Sequence, residues 1–441
     1  MKNLLRLLGL MLIASSLTFV SCGDDKGKDE PTPPPVNPGG GGGDDPGNTP
    51  GGGDDPGNNP GGGSTIGDVN SDEYWASHPN RGSVSSSLSG DGTLSTPYLI
   101  RSAADLRFLS DQVRAGATFS GKYFKMTQDI RINSDVLTSS GTMNGSGSNL
   151  EQWIPIGRKD RYFQGTFDGN GYTIYGIYCN RDANYLGLFG IIEKGLVRRL
   201  TLKDSYIHGT IGAAGGIIAD ALGKNYTVCE NCVNYATVSG YRSGGIVGRQ
   251  HDADVKKCIN YGNIIGTDRA GGITSFNTSS STGYGIIERC INYGSISGSK
   301  GSYIGGISGS GAIVQHCLNK GTVSGGTNTG GIIGWCFGTT ASKGCYNNVN
   351  IGRVSSDTSA GAIVGSASSS SKDKYSKVHN NLTLDFVVPA LIAHQGYAVS
   401  ISGNRSVSDS EMKSRSILEE LNGRGGKWIT GNDGYPMPEI N

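Results

Sequence analysis

The sequence lacks a long apolar run beyond its N-terminus, an excess of either charge, and any concentration of basic residues. No stretch after Val20 reaches 18 apolar residues, so no later segment reads as a membrane-spanning helix. Lys and Arg together number 38 against 37 Asp and Glu. With no basic stripe, nucleic acid is not expected as a partner. Gly is abundant at 73 residues but does not follow the every-third-residue period of collagen. No G-x-S-x-G elbow, P-loop or dinucleotide-binding phrase occurs in its required context. No catalytic residue, metal ligand or cofactor is therefore assigned.

What is present begins with Lys2 and Arg6, followed by a mostly apolar run from Leu7 to Val20. That run is too short to cross a bilayer comfortably, yet it suits the core of a secretory signal peptide over residues 1–21. It ends in Phe19-Val20-Ser21-Cys22, which resembles the lipobox of bacterial lipoproteins, with Phe19 where Leu is usual. The resemblance implies that Cys22 is acylated and anchored in outer-membrane lipid. Asp24, Asp25 and Lys26 then resemble the signal by which some Gram-negative lipoproteins reach the outer face of the outer membrane. A solvated start to a linker would read similarly.

Residues 22–67 form a Pro/Gly/Asp-rich linker containing two near-identical decapeptides, GGGDDPGNTP and GGGDDPGNNP. Such a segment has almost no apolar surface to offset its ordering entropy and is expected to be disordered. As a flexible coil it would hold the body on the order of 35 Å from its anchor. Its Asp-Asp-Pro-Gly lacks the ligand spacing of a calcium loop.

Self-comparison of the remaining chain is informative. A Gly-Gly-Ile phrase starts at Gly215, Gly244, Gly271, Gly305 and Gly330, with a weaker copy at Gly361. A second phrase reads Cys-(apolar)-Asn-x-(small)-x-(Ile/Val)-x-Gly. Its Cys positions are Cys232, Cys258, Cys290, Cys317 and a degenerate Cys345, with Asn234, Asn260, Asn292, Asn319 and Asn347 two residues later. Val238, Ile264, Ile296, Val323 and Ile351 take the aliphatic place, and Arg353 breaks the run of closing glycines. Counting back from Gly209 puts Thr201 and Ile207 in an earlier, divergent copy.

A repeat of about 28 residues with period-2 strands fits one coil of a solenoid, each coil stacking about 4.8 Å above the last. The expected fold is all-β: a right-handed parallel β-helix with short capping helices at both ends. Residues 68–186 would form the N-terminal cap and first coils, 187–405 the repeat β-helix, and 406–441 the C-terminal cap. Stacked Cys, Ile and Val would fill a narrow interior, and stacked Asn side chains would hydrogen-bond along the axis as amide ladders do. Thr278–Gly285 reads as an insertion at one turn. Ser102 is a candidate N-cap for a helix over Ala103–Val113, and Ile417, Leu418 and Leu421 suggest another.

The cysteines read two ways. With Cys22 assigned to lipid, eight remain, a number compatible with disulfides. Five at one repeat position instead read as a buried column of free thiols packing as small hydrophobes. Cys229 and Cys232 form a C-x-x-C pair with no second pair beside it.

The phrases GGIIADALG, GGIVGRQ, GGISGSG and GGIIGWC resemble those of the GLUG-motif family. DGTLSTPYLIRSAADLRFLSDQV, FKMTQDIRIN, WIPIG, FQGTFDGNGYTIYGI and LGLFGII resemble the lead-in of GLUG-containing surface proteins. Trp428 to Met437 resembles their closing W…GYP phrase. The family includes bacterial adhesins and non-catalytic parts of immunoglobulin-cleaving metallopeptidases. The H-E-x-x-H helix of such a peptidase is missing, and His78, His208, His251, His316, His379 and His394 are scattered.

Three function classes remain. In the first, an adhesin or glycan-binding lipoprotein without catalysis meets an extracellular glycan or protein ligand. Tyr235, Tyr261 and Tyr293 would form an outward column whose faces receive sugars, or simply pack on one another. The second is a β-helix polysaccharide lyase or glycosidase, for which Asp252 and Asp254 beside His251 are the only close acid pair in the repeats. The third is a structural surface-assembly component. The reading adopted is the first: a surface-exposed outer-membrane lipoprotein that binds glycan or host matrix.

Overall fold

The computed structural model describes residues 68–440, apart from 281–282, 300–301, 312, 339–343, 359, 370–374 and 389. The expected leader, Cys22, Asp24, Asp25, Lys26 and the linker lie outside the described residues.

The body is a parallel β-solenoid of about nine turns. Two ten-stranded sheets and a larger 18-stranded one run along it. The first sheet carries the Asn phrase, in ten short strands from Ile130–Arg131 to Arg405–Val407. The second includes Ile264–Gly271 and ends each level at the Gly-Gly phrase. The third and largest takes the chain onward from that turn, as in Val247–Lys256. Neighbouring coils pair in parallel and in register: Ile259 lies beside Ile291, Asn260 beside Asn292, and Ile264 beside Ile296. The 32-residue step carries its extra residues as an antiparallel hairpin, Ser279 pairing with Tyr284.

Each half of the Gly-Gly phrase has its own steric cause. At the first glycine, a Cβ would lie 1.9 Å from the carbonyl oxygen three residues on at Gly215 and Gly244, and 2.0 Å away at Gly271 and Gly305. The chain folds so sharply that no side chain fits the outer angle. At the second, a Cβ would meet the buried Asn ladder, 2.5 Å from Asn234 Oδ1 at Gly216 and 2.4 Å from Asn292 Cγ at Gly272. In the sixth such coil Thr383 stands where the ladder has Asn, and Ala362 stands where the others have the second Gly.

The interior changes character along the axis. Phe124, Phe163, Phe167 and Phe189 fill the early coils, with rings 5.3–5.7 Å apart. Later coils are filled by columns of Ile, Val and Cys. Helix α1 is Asp72–Ala76. Helix α2, Ala103–Arg114, starts at Ser102, whose hydroxyl accepts from Asp105 N, as the spacing predicts. Its Leu106, Leu109 and Val113 are fully buried in the core, each contributing roughly 1.5–3 kcal/mol. Arg107 pairs with Glu151 through two contacts, Nε–Oε1 at 2.7 Å and Nη2–Oε2 at 2.5 Å, tying α2 to the first coils. At the other end α3 (Asp409–Met412) and α4 (Arg415–Gly423) bury Met412, Ile417 and Leu421. A hairpin of Trp428–Thr430 with Pro436–Pro438 follows.

Two register expectations are corrected. Cys345 does not extend the Cys232 column. It pairs with Val314 and Val378 in the largest sheet, in line with Cys229. The place after Cys317 belongs to Asn348, whose Oδ1 accepts from Cys317 N at 2.8 Å. Asn347 is likewise not in the ladder: it is a turn residue at φ +54°, donating to Leu421 O. The ladder member is Asn350, the aliphatic place is Val354 rather than Ile351, and Ser356 rather than Arg353 faces Gly325. In the divergent copy Thr201 pairs with Val233, so Leu200 stands in the Cys place; Ile207 does pair with Val238.

Candidate functional site

The ladder that orders the interior also sets the outer wall. Asn234, Asn260, Asn292, Asn319 and Asn350 are fully buried. Each donates from Nδ2 to Oδ1 of the next, at 2.9, 2.9, 2.8 and 2.8 Å. Beside them, Cys258 N donates to Cys290 Sγ and Cys290 N to Cys317 Sγ, both at 3.4 Å. Asn348, Asn381 and Asn404 carry that second column onward, joined at 2.9 and 2.8 Å.

All eight described cysteines are buried free thiols. Burial pushes Cys179 and Cys336 up to about 12. Burial likewise pushes Cys229, Cys258 and Cys317 well up. Against burial, thiol hydrogen bonds pull Cys232 and Cys290 down. A thiolate there would be enclosed by neutral sulfur and backbone, so the column is one of neutral thiols. Cys229 and Cys232 belong to two different columns of this stack. Among the described residues no three His, Cys, Asp or Glu side chains are grouped to hold a metal ion.

Because Asn points inward, the next residue points outward, and in three consecutive coils it is Tyr. The rings of Tyr235, Tyr261 and Tyr293 stack face to face at 4.6 and 4.8 Å, within 7° of parallel. Tyr235 and Tyr261 keep 38 and 40 % exposure. Burial, then the neighbouring phenol, pushes Tyr261 and Tyr293 above the usual tyrosine range.

Sequence reasoning missed the rest of this column. Register continues it back through Lys203, Tyr175 and Arg131. The Lys203 amine lies 4.7 Å from the Tyr235 ring and the Arg131 guanidinium 4.4 Å from the Tyr175 ring. Forward, Lys320 takes the tyrosine's place, with its amine 5.8 Å from the Tyr293 ring and 5.3 Å from Tyr435. Each cation meets the negative face of a ring, worth about 0.5–1 kcal/mol at exposed sites. Lys320 also pairs with Asp433 at 2.7 Å and, against the opposing effect of burial, holds that carboxyl below its usual range. Tyr293 OH donates to Met437 sulfur at 3.8 Å. The C-terminal hairpin therefore covers the column from Tyr293 onward and leaves Tyr235 and Tyr261 open. The signal that could have exposed the extension was the outward parity of Arg131, Tyr175 and Lys203, hidden because those coils lack the repeat phrase.

The two acids of the pair have different surroundings. Asp254 accepts from Ile286 N at 3.0 Å and pairs with Lys256 at 2.7 Å. Asp252 occupies a left-handed backbone position at φ +49°. His251 instead faces buried Asp220 at 3.5 Å, and burial pushes its imidazole down while Asp220 opposes.

No family model matches the chain. A 64-residue stretch is 48% identical to a candidate Gly-rich membrane protein of Evansella cellulosilytica, covering 14% of this chain and 7% of that protein. The chain thus spans only a small fraction of the curated relative it matches. Among solved structures it is similar to a candidate immunoglobulin A1 protease from Bacteroides ovatus, with TM-score 0.47 and 19% identity over 80% of this chain and 95% of that one. A second similar structure is an IgA1 protease, with TM-score 0.42 and 13% identity over 73% and 24% of the two chains. Among the described residues no helix is long and apolar enough to cross a membrane.

Proposed function

We propose that the protein is a GLUG-type lipoprotein of the outer cell surface that binds an extracellular glycan or matrix component without catalysis. Acyl chains on Cys22 hold it in outer-membrane lipid, and the Asp24-Asp25-Lys26 cluster directs it outward. The observation that carries the binding role is the open part of the tyrosine ladder. Their faces are taken up by the stack, so Tyr235 and Tyr261 present ring edges tipped with hydroxyls, an apolar strip with a polar rim suited to a sugar lying along it. Their partners in the column are already fixed, so little side-chain entropy is lost on binding.

The test is a screen of the purified full-length chain in detergent against glycan and extracellular-matrix arrays, reading retention and product release together. Retention without turnover, lost in a Tyr235→Ala/Tyr261→Ala variant, is the expected result. Unsaturated or shortened sugars overturn the non-catalytic reading, and unchanged retention in the variant removes the ladder from it. Surface export has a separate check: Asp24→Ala/Asp25→Ala should keep lipidation but reduce protease accessibility on whole cells.

A further inference from the structure

The tyrosine column carries a cation at each end of its three rings, and the two ends differ. At the forward end the Lys320 amine lies 5.8 Å from the Tyr293 ring and pairs with Asp433 at 2.7 Å. A carboxylate from the C-terminal hairpin is thus seated on it. At the other end the Lys203 amine lies 4.7 Å from the Tyr235 ring. Among the described residues that amine has neither a hydrogen bond nor an ion pair. Arg131, farther back in the column, pairs with Asp204 at 3.6 Å. Among the described residues Lys203 is therefore the one cation of the column without a carboxylate.

The forward end shows which chemistry this arrangement accepts. Asp433 meets the amine, Tyr435 lays apolar surface against it at 5.3 Å, and Met437 sulfur accepts from the Tyr293 hydroxyl. The back end offers the same set, an amine, ring edges and hydroxyls, but Tyr235 and Tyr261 are exposed and Lys203 is half-buried. The ring holds the Lys203 amine in place, and a charge-assisted hydrogen bond from it is stronger than a neutral one. A peptide strand finds no free sheet edge here. The strands leading into Tyr235 and Tyr261 pair on both sides, and both tyrosine amides are bonded to the preceding coil. Recognition must come through side chains: an apolar strip, two hydroxyls and one positive charge.

We propose that the open end of the tyrosine column binds an acidic glycan, its sugars lying along the edges of Tyr235 and Tyr261 and its carboxylate or sulfate on the Lys203 amine. This rests on the reading of the ladder as a binding surface and names the ligand class. Lys203, Tyr235 and Tyr261 occupy three successive levels, two steps of about 4.8 Å. A short stretch of chain with one acidic group is enough to span them, the acid lying toward the first coils.

The test uses the full-length chain and four immobilised polymers: polygalacturonate, dextran sulfate, neutral dextran and polyglutamate. Retention on one or both acidic polysaccharides above dextran is expected, weakening as NaCl rises, and the pair separates carboxylate from sulfate recognition. Lys203→Gln should cut that retention roughly tenfold, the loss of one hydrogen bond to a charged group. Lys203→Arg should keep most of it. Arg415→Gln, which removes one positive charge from an exposed side chain of α4, should leave it unchanged. Equal retention by wild type and Lys203→Gln overturns the proposal, as does an equal loss in Arg415→Gln. Preference for polyglutamate over both polysaccharides overturns the glycan class. Retention on dextran equal to that on the acidic polymers overturns the acidic class, and its loss in Tyr235→Ala/Tyr261→Ala would still keep the ladder as the binding surface. No retention on any of the four overturns the acidic-glycan assignment. Array hits lost in the tyrosine variant would then preserve the ladder, and an absence of hits would remove it too.

Discussion

Asn292 lies at the centre of the ladder, and replacing it with Ala tests whether the ladder stabilises the solenoid. The side chain makes four hydrogen bonds: it accepts from Asn260 Nδ2 and Gly294 N, and donates to Asn319 Oδ1 and Gly294 O. Asn260 Nδ2 keeps Gly262 O, and Gly294 N keeps Asn260 O, so those two losses cost about 1 kcal/mol each. Asn319 Oδ1 and Gly294 O lose their side-chain donor inside the core, and each orphaned group costs about 1–3 kcal/mol. The total is about 4–8 kcal/mol, well beyond the usual effect of a single substitution. Urea unfolding followed by circular dichroism gives the size. Amide hydrogen exchange gives the place, because coils interact mainly with their neighbours and the loss should concentrate at Gly262, Gly294 and Gly321. A destabilisation under about 1 kcal/mol with unchanged exchange at those amides would refute the energetic role of the ladder.

Three further outcomes follow from the same geometry. Gly272→Ala should destabilise by more than about 2 kcal/mol, and adding Asn292→Thr should cost at least about 1 kcal/mol less than the sum of the singles, following the Ala362/Thr383 pair, as a double-mutant cycle would read. The buried thiols predict alkaline lability. Cys179 and Cys336 ionise near 9 when unfolded and at about 12 when folded, so the unfolded chain releases protons first as pH rises. Stability is then whole below pH 9 and falls by roughly 2.7 kcal/mol per pH unit from these two groups between pH 9 and 12. Melting temperatures that stay level across that window would contradict it. Glu151→Gln should destabilise by about 3–5 kcal/mol by leaving the Arg107 guanidinium without its counter-charge in the interior, measured as a lower urea midpoint.

The solenoid was legible because stacking forces chemically equivalent residues into one column, and columns repeat in sequence. Ser102 and the spacing of Leu106, Leu109 and Val113 likewise announced α2. The reading slipped by three residues after Cys317, where Cys345-Tyr-Asn347 imitates Cys-x-Asn. The small residue two places after the ladder Asn was the better guide, since it occupies the tight turn that Asn caps. Gly262, Gly294, Gly321 and Gly352 mark it in four coils, and Val349 after Asn347 does not. Cys is replaceable by Asn in the second column because either side chain accepts the neighbouring coil's amide. The cationic partners of the tyrosines were not legible, since they depend on which distant coils become neighbours.

The amides of the ladder all point the same way, each donor facing the coil that comes later in the chain. A row of aligned dipoles has a head and a tail, so the coils are not interchangeable by reversal, although they are by translation. Copying one whole coil and inserting it between two others would recreate every donor–acceptor pair at the two new junctions. Copying part of one would put unlike residues into each column. Growth of such a protein is therefore quantised: its cross-section is fixed by sterics at the glycines, and its length changes only in whole turns.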